Sequence, residues 1–281
     1  MEYSKDLKVA YSGVEGAFAQ IASSKIFPGA TLVPHKDFDH AFSAVSNGEA
    51  DYAVLPIENS YAGEVGQVMD LLYNGDLYVN SVYALSVTQN LLGVKGAKLE
   101  DIKIVYSHPQ ALMQSEEFLH DHGIETVDSA NTAMAAQFVA QKGDIRCGAI
   151  ASKETASIYG LDILARQVNG SSFNTTRFAV VSKHANDNIS VNSKNMFMLM
   201  FAVNHKAGAL AKAIDVISAG GYNMRSLHSR SVKDVPWQYY FYVEAEGTLT
   251  TLGGSSMMEQ LNKQCDVVKF LGHYNADEKL S

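Results

Sequence analysis

The stretch GSSFNTTRF, residues 170–178, sets a hydroxyl, Thr176, beside a fixed cation, Arg177, and then Phe178, at the head of a strand-forming run. A hydroxyl held in place can give its proton to a departing oxygen, and a guanidinium grips a carboxylate through two parallel hydrogen bonds. The pair suits chemistry on a small anion. Read alone, the same residues also describe a polar loop entering a strand, with the threonine capping backbone groups.

Two further clusters have the same form. LPIENS, residues 55–60, puts Glu58, Asn59 and Ser60 directly after a buried strand, and YSHPQALMQ, residues 106–114, ends a strand at Ser107, places Pro109 near the first helical position and runs on to Gln114. Polar groups at the C-terminal ends of strands suggest a ligand site in an α/β sheet, although caps and turns use the same residue types. Gln114 lies two helical turns beyond Ser107 and points back toward the helix start. A glycine loop, SGVEG at 12–16, also joins a strand to a helix; its spacing is not that of a dinucleotide fingerprint, which leaves an anion-receiving loop or a tight turn. His120 and His122 do not share a helix face, so metal binding is not expected there, and local spacing offers no Ser/His/Asp or Cys/His set for hydrolysis.

Positioning these residues requires an α/β framework. Short apolar runs at 7–11, 52–57, 102–106, 124–127 and 148–151 read as strands, and 16–26, 37–46, 109–120 and 131–141 as helices. That grammar implies two α/β lobes with largely parallel strands. The extended stretch 77–91 carries the chain from one lobe to the other, and the strand 176–182 returns it, which makes a hinged cleft of the kind small anions favour. Polar residues 184–194 read as a linker. Beyond them strands at 196–203, 223–232, 238–246 and 265–271 alternate with helices at 207–219 and 253–263 as βαββαβ, the ferredoxin-like pattern.

Composition agrees with a globular protein. The 281 residues suffice for two domains and are 47% hydrophobic and 19% charged. A net charge of −8 without a Lys/Arg cluster argues against a nucleic-acid partner and demands a local cationic site for any anion. No apolar stretch reaches the roughly 18 residues of a membrane span, the N-terminus lacks a leader pattern, and the two cysteines match no zinc or redox spacing, so a cytoplasmic location is expected.

In order and content these pieces resemble prephenate dehydratase: AYSGVEGAF (10–18), VLPIENS (54–60), YSHPQAL (106–112), AIASKETASIYGL (149–161) and NTTRF (174–178). The C-terminal unit resembles an ACT regulatory domain. The resemblance implies a two-lobed catalytic domain like type II periplasmic binding proteins at 1–183 (lobe 1 about 1–80 and 167–183, lobe 2 about 81–166), an ACT domain at 195–275 and a tail at 276–281. No chorismate mutase domain is expected before residue 7. The implied activity converts prephenate to phenylpyruvate, water and CO₂ without a cofactor. Thr176 would be catalytic, and Asn59, Ser60, Ser107, Gln114, Arg177 and Phe178 would meet the substrate. L-Phenylalanine, the implied effector, would bind at Gly208, Ala209, Leu210, Asn223 and Met224 between the ACT units of a homodimer or homotetramer. Where many relatives carry ESRP, this chain has His228-Ser229-Arg230-Ser231. Arogenate dehydratase and a non-catalytic amino-acid sensor are the alternatives.

Overall fold

The computed structural model describes residues 6–170, 174–186, 194–233, 235–276 and 278–280. Residues 171–173 of the opening motif, 187–193 of the expected linker, and 277 and 281 of the tail lie outside the described residues.

Strand β1 (Lys8–Ser12) leads through α1 (Phe18–Ile26), β2 (Thr31–His35) and α2 (Phe38–Ser46) to β3 (Tyr52–Asn59), which carries a short antiparallel partner, β4 (Gly63–Glu64). β1 runs parallel to both β2 and β3. Strands covered on both faces should be continuously apolar, and Ala53, Val54, Leu55 and Ile57 are all at 0% exposure. Asp37 caps α2, its carboxylate accepting from the His40 N–H at 2.9 Å, as Asp at an N-cap should. β2 was not expected, because Pro34 interrupts it; its place at the edge of the sheet explains why a proline is tolerated.

The chain continues with α3 (Gly66–Asn74), β5 (Tyr78–Ser86) and β6 (Asn90–Gly93), then β7 (Ile104–Ser107), α4 (Pro109–Gln114), α5 (Glu116–Asp121), β8 (Glu125–Asp128), α6 (Thr132–Lys142), β9 (Cys147–Ala151), α7 (Lys153–Tyr159) and β10 (Asp162–Ala165). A second sheet has the order β10-β6-β9-β7-β8, parallel at β7–β8 and β7–β9 and antiparallel where β6 joins β9 and β10. Alternation along its strands splits the core in two. Leu91 and Ile150 pack on one face with Val105 and Leu119, while Leu92, Ala149 and Ala151 pack on the other with Val139 and Ala156. The helix expected over 109–120 is two helices, because Ser115, at φ −110 and ψ 12, leaves helical geometry between them.

After β11 (Thr175–Ser182) come β12 (Asn195–Ala202), α8 (Ala209–Ala219), β13 (Met224–Ser231), β14 (Tyr239–Glu246), α9 (Leu252–Gln264), β15 (Val267–Asn275) and β16 (Glu278–Leu280). Strands β12 to β15 form an antiparallel sheet ordered β13-β14-β12-β15, the ferredoxin-like arrangement. The chain is thus the α/β protein expected.

Two compact units divide the chain: 1–65, 84–178 and 279–281 in the first, 66–83 and 179–278 in the second. Both sheets of the α/β part contribute to the first unit. Residues 66–80 and 179–183, read from sequence with the first lobe, and 81–83, read with the second, group with the C-terminal unit.

Inside the second unit α3 is fixed by charge. Asp70, 6% exposed, accepts from Arg230 Nε at 3.0 Å and Nη2 at 3.1 Å, from the Tyr240 hydroxyl at 2.7 Å, and lies 3.2 Å from Lys233 Nζ. Tyr73 stacks on Tyr240 with ring centroids 4.1 Å apart. At the helix's other end Lys269 Nζ donates to the carbonyls of Leu72, Tyr73 and Gly75, where a cation belongs on a helix dipole. A Cβ at Gly66 would fall 1.9 Å from Arg230 Nη1 and push that guanidinium from its place on Asp70. Gly272, at φ +142, is equally constrained, its missing Cβ lying 2.1 Å from the Val79 carbonyl oxygen.

Candidate active site

In the first unit a pocket of ≈ 180 Å³ is lined by Asn59, Asn174 and Thr176, by Val87 and Gln89, by Gln114 at the end of α4, and by residues at the beginnings of three helices: Ala17 and Phe18 of α1, His108, Gln110 and Ala111 of α4, and Asn131 and Thr132 of α6. Helix N-termini present unbonded N–H groups and a partial positive charge. Ala17 opens α1 with no side-chain cap, His108 caps α4 by accepting the Gln110 N–H through Nδ1, and Asn131 caps α6 by accepting from Met134.

Asn59, the last residue of β3, organises the floor. Its Oδ1 accepts from the Tyr61 N–H and the Ala62 N–H, each at 3.0 Å, and from Gln110 Nε2 at 3.1 Å. Three donors settle which end of the amide is oxygen. Its Nδ2 must then face β11, where it donates to Asn174 Oδ1 at 2.8 Å and to Thr176 Oγ1 at 2.9 Å. With its oxygen accepting from Asn59, the Thr176 hydroxyl keeps its own proton to donate. Asn174 Nδ2 in turn donates to Gln114 Oε1 at 2.8 Å, and the buried Gln114 Nε2 and Gln89 Oε1 have no hydrogen-bond partner among the described residues.

Of the residues singled out from sequence, Asn59, Gln114 and Thr176 therefore meet in one pocket, and the others go elsewhere. Ser107, at 0% exposure, donates to the Ile150 carbonyl at 2.6 Å and ties β7 to β9. Ser60 Oγ accepts the Thr175 N–H at 2.9 Å, fastening β3 to β11, and Phe178 is core at 1% exposure. Arg177 Nη1 donates to Glu58 Oε2 at 2.8 Å and does not line the pocket. Strand geometry explains this: successive side chains point to opposite faces, so Thr176 and Arg177 cannot both enter one cavity. Sequence reading passed over Asn174, Gln110 and His108, although all three stand inside the motifs quoted above.

No Lys, Arg, Asp or Glu lines the pocket among the described residues. Its single titratable side chain, His108, has its pKa lowered by burial, against the opposing pull of Asp128. Neutral at pH 7, with Nδ1 accepting, it carries its proton on Nε2. With no cation in the pocket's lining among the described residues, the positive potential asked of Arg177 has to come from peptide groups. The SGVEG loop serves as a turn braced by α7: Thr155 Oγ1 donates to the Gly16 carbonyl at 2.9 Å and the Tyr159 hydroxyl to that of Glu15 at 2.8 Å. Among the described residues no group of three or more His, Cys, Asp or Glu side chains could hold a metal, and no helix is long and apolar enough to cross a membrane.

The effector candidates lie in the second unit. Gly208, Ala209 and Leu210 open α8, whereas Asn223 and Met224 follow its far end at the head of β13. Eleven helical residues put the two groups about 16 Å apart along the helix axis.

A family model described as prephenate dehydratase matches residues 9–186. A chloroplastic arogenate dehydratase/prephenate dehydratase of Arabidopsis thaliana is 34% identical over 98% of this chain and 75% of its own length. A bifunctional chorismate mutase/prephenate dehydratase of Neisseria gonorrhoeae is 33% identical over 96% and 75%. The crystal structure of a prephenate dehydratase from Arthrobacter aurescens in complex with L-Phe superposes with a TM-score of 0.87 at 26% identity, covering 96% of this chain and 90% of that one. A matched stretch that holds Asn59, Gln114, Asn174 and Thr176, and likeness along nearly the whole length, place this chain in the prephenate dehydratase family.

Proposed function

We propose that this chain is a lyase that converts prephenate to phenylpyruvate, water and CO₂, with Thr176 assisting departure of the ring hydroxyl. The observation that carries this reading is the hydrogen bond from Asn59 Nδ2 to Thr176 Oγ1, which aims the threonine proton away from Asn59. Prephenate bears two carboxylates and a ring hydroxyl. When the C–CO₂⁻ bond breaks, its electron pair enters the ring and expels the hydroxyl, and aromatisation drives the step. The protein must hold a dianion, align the two breaking bonds and stabilise the oxygen as charge develops on it. Carboxylates suit the starts of α1 and α6, whereas at α4 Pro109 has no N–H and those of Gln110, Ala111 and Leu112 are taken by His108. Gln114 Nε2, Gln110 and neutral His108 supply further donors, and Thr176 donates a hydrogen bond to the leaving hydroxide, which takes one proton from solvent and departs as water, so that the prephenate dianion and one proton give the phenylpyruvate anion, CO₂ and water.

Arogenate, which carries an amine in place of the side-chain keto group, is an equal candidate substrate, and the Arabidopsis relative bears both names. Incubating the protein with each compound and comparing kcat/KM tests the reading, because discrimination is a difference in transition-state binding. Phenylpyruvate from prephenate or phenylalanine from arogenate is expected; no product from either overturns it.

In this reading residues 1–183 are catalytic, 184–194 link, and 195–275 are an ACT domain that binds L-phenylalanine and lowers turnover, in a cytoplasmic enzyme that forms a homodimer or homotetramer. The separation of Gly208–Leu210 from Asn223 and Met224 along α8 supports a site completed by a second copy. Phenylalanine is expected to inhibit at concentrations where tyrosine does not.

Arg177 acts as scaffold in the same scheme. Arg177→Ala is expected to leave KM within about threefold and to cost roughly 1 kcal/mol or less in urea unfolding, as for a part-exposed ion pair. A KM raised tenfold or more would return the guanidinium to the substrate.

A further inference from the structure

The segment that crosses from β5 to β6, residues 87–89, has a second use. Its Val87 and Gln89 side chains line the pocket just described, while Ser86, Thr88 and Asn90 line a separate cavity of ≈ 460 Å³ on its opposite face. Alternate residues thus make one segment the wall of both. Phe18, in the first turn of α1, borders both as well. Unlike the first pocket, this cavity is charged. Among the described residues, Lys25 of α1, Lys153 at the head of α7 and Arg166 after β10 line it, with one acid, Glu154, which lies 4.0 Å from Lys153 Nζ. In a chain of net charge −8, three cations facing one acid in a cavity make a local positive potential that calls for an anion.

Its geometry is tied to the strand. Gln167 sits at φ +51, one of two non-glycine residues of positive φ among those described. The conformation is held from across the gap: the Gln167 N–H donates to Asn90 Oδ1 at 3.3 Å and the Val168 N–H to the Gln89 carbonyl at 2.9 Å. Unfavourable backbone conformations persist where surrounding structure over-determines them, and they gather at ligand clamps and switches. Arg166 is thereby positioned by residues 89 and 90 of the segment shared with the first pocket.

We propose that this cavity is a second anion site, taking a small oxyanion with two or more negative charges between Lys25, Lys153 and Arg166, and that its occupancy alters substrate affinity through segment 86–90. Only the second half rests on the function proposed above. A ligand shifts an equilibrium by its differential affinity for the two states, so coupling through a shared wall should appear in KM.

Isothermal calorimetry with the full chain, at ionic strength held constant by sodium chloride, reads the site directly. Inorganic phosphate and succinate serve as probes, distinguishing a phosphoryl from a dicarboxylate ligand. Saturable binding of at least one is expected, weakened tenfold or more in the Lys153→Gln/Arg166→Gln variant with its thermal unfolding otherwise preserved. Should that variant fail to fold, Arg166→Lys, which keeps the charge but loses the planar fork, is expected to weaken binding by a smaller factor. No saturable heat from either probe overturns the site, and binding unchanged in the variants overturns its location. In kinetics the bound probe is expected to change KM for prephenate at least twofold at constant kcat, and not in the double variant. Binding without such a change overturns the coupling. Absence of turnover under all conditions counts against the proposed function and leaves the calorimetric result to stand for the site.

Discussion

Thr176→Ala is expected to lower kcat on prephenate by 10²–10⁴, about 3–5 kcal/mol of transition-state stabilisation, with KM changed little. The argument follows from hydrogen-bond direction. Asn59 gives its amide hydrogens to Asn174 and Thr176, so the threonine proton remains for the departing oxygen. Alanine removes that donor and leaves carboxylate binding at the helix starts intact, which is why the loss belongs in kcat. Thr176→Ser keeps the hydroxyl and should retain most of the rate. Turnover unchanged in the alanine variant would remove Thr176 from the mechanism.

The second large effect concerns folding. Asp70→Ala is expected to destabilise the full chain by about 3 kcal/mol in urea, since it strips a buried carboxylate from Arg230 and Tyr240 and leaves their donors without it. Its pH dependence has a definite sign. Burial raises the Asp70 pKa, but hydrogen bonds from Arg230, Tyr240 and Lys233 outweigh this and hold it below the usual carboxylate range. A depressed native value adds stability above the unfolded pKa of about 3.9, and that stability is lost as pH falls through the native one. The gap between wild type and variant should therefore be full at pH 7 and close in acid. A loss no larger than that from exposed Glu259→Ala would show the docking of α3 to be energetically minor.

What sequence made legible follows from range. α2 declared itself through Asp37, and the C-terminal βαββαβ through alternation and helical periods, because those signals are local. Thr176, Asn59 and Gln114 could be chosen because each stands at a strand end or on the helix after one. The same strand rule, applied to neighbours, would already have separated Thr176 from Arg177. Asn174 needed only attention to the residue two before Thr176. The hold of Arg230 on Asp70 had no such signal: the partners are 160 residues apart, and neither belongs to a pattern that names the other. For the same reason the grouping of residues 66–83 with the C-terminal unit was invisible. His228, which replaces the glutamate of ESRP, stacks on Tyr242 with centroids 4.8 Å apart, a cross-strand contact that becomes visible only with register.

In the scheme proposed above, the starts of α1 and α6 give the pocket its positive character through backbone N–H groups, which every residue but proline possesses. No single codon encodes that character, so no single codon change erases it, whereas a pocket built around one arginine is one mutation from losing its anion. The side chains between those helix starts are thereby released to vary. A lineage can alter Gln110, Gln114 or Asn131 to tell a keto group from an amine while the hold on the carboxylates persists. Binding is inherited with the fold, and specificity is left to selection.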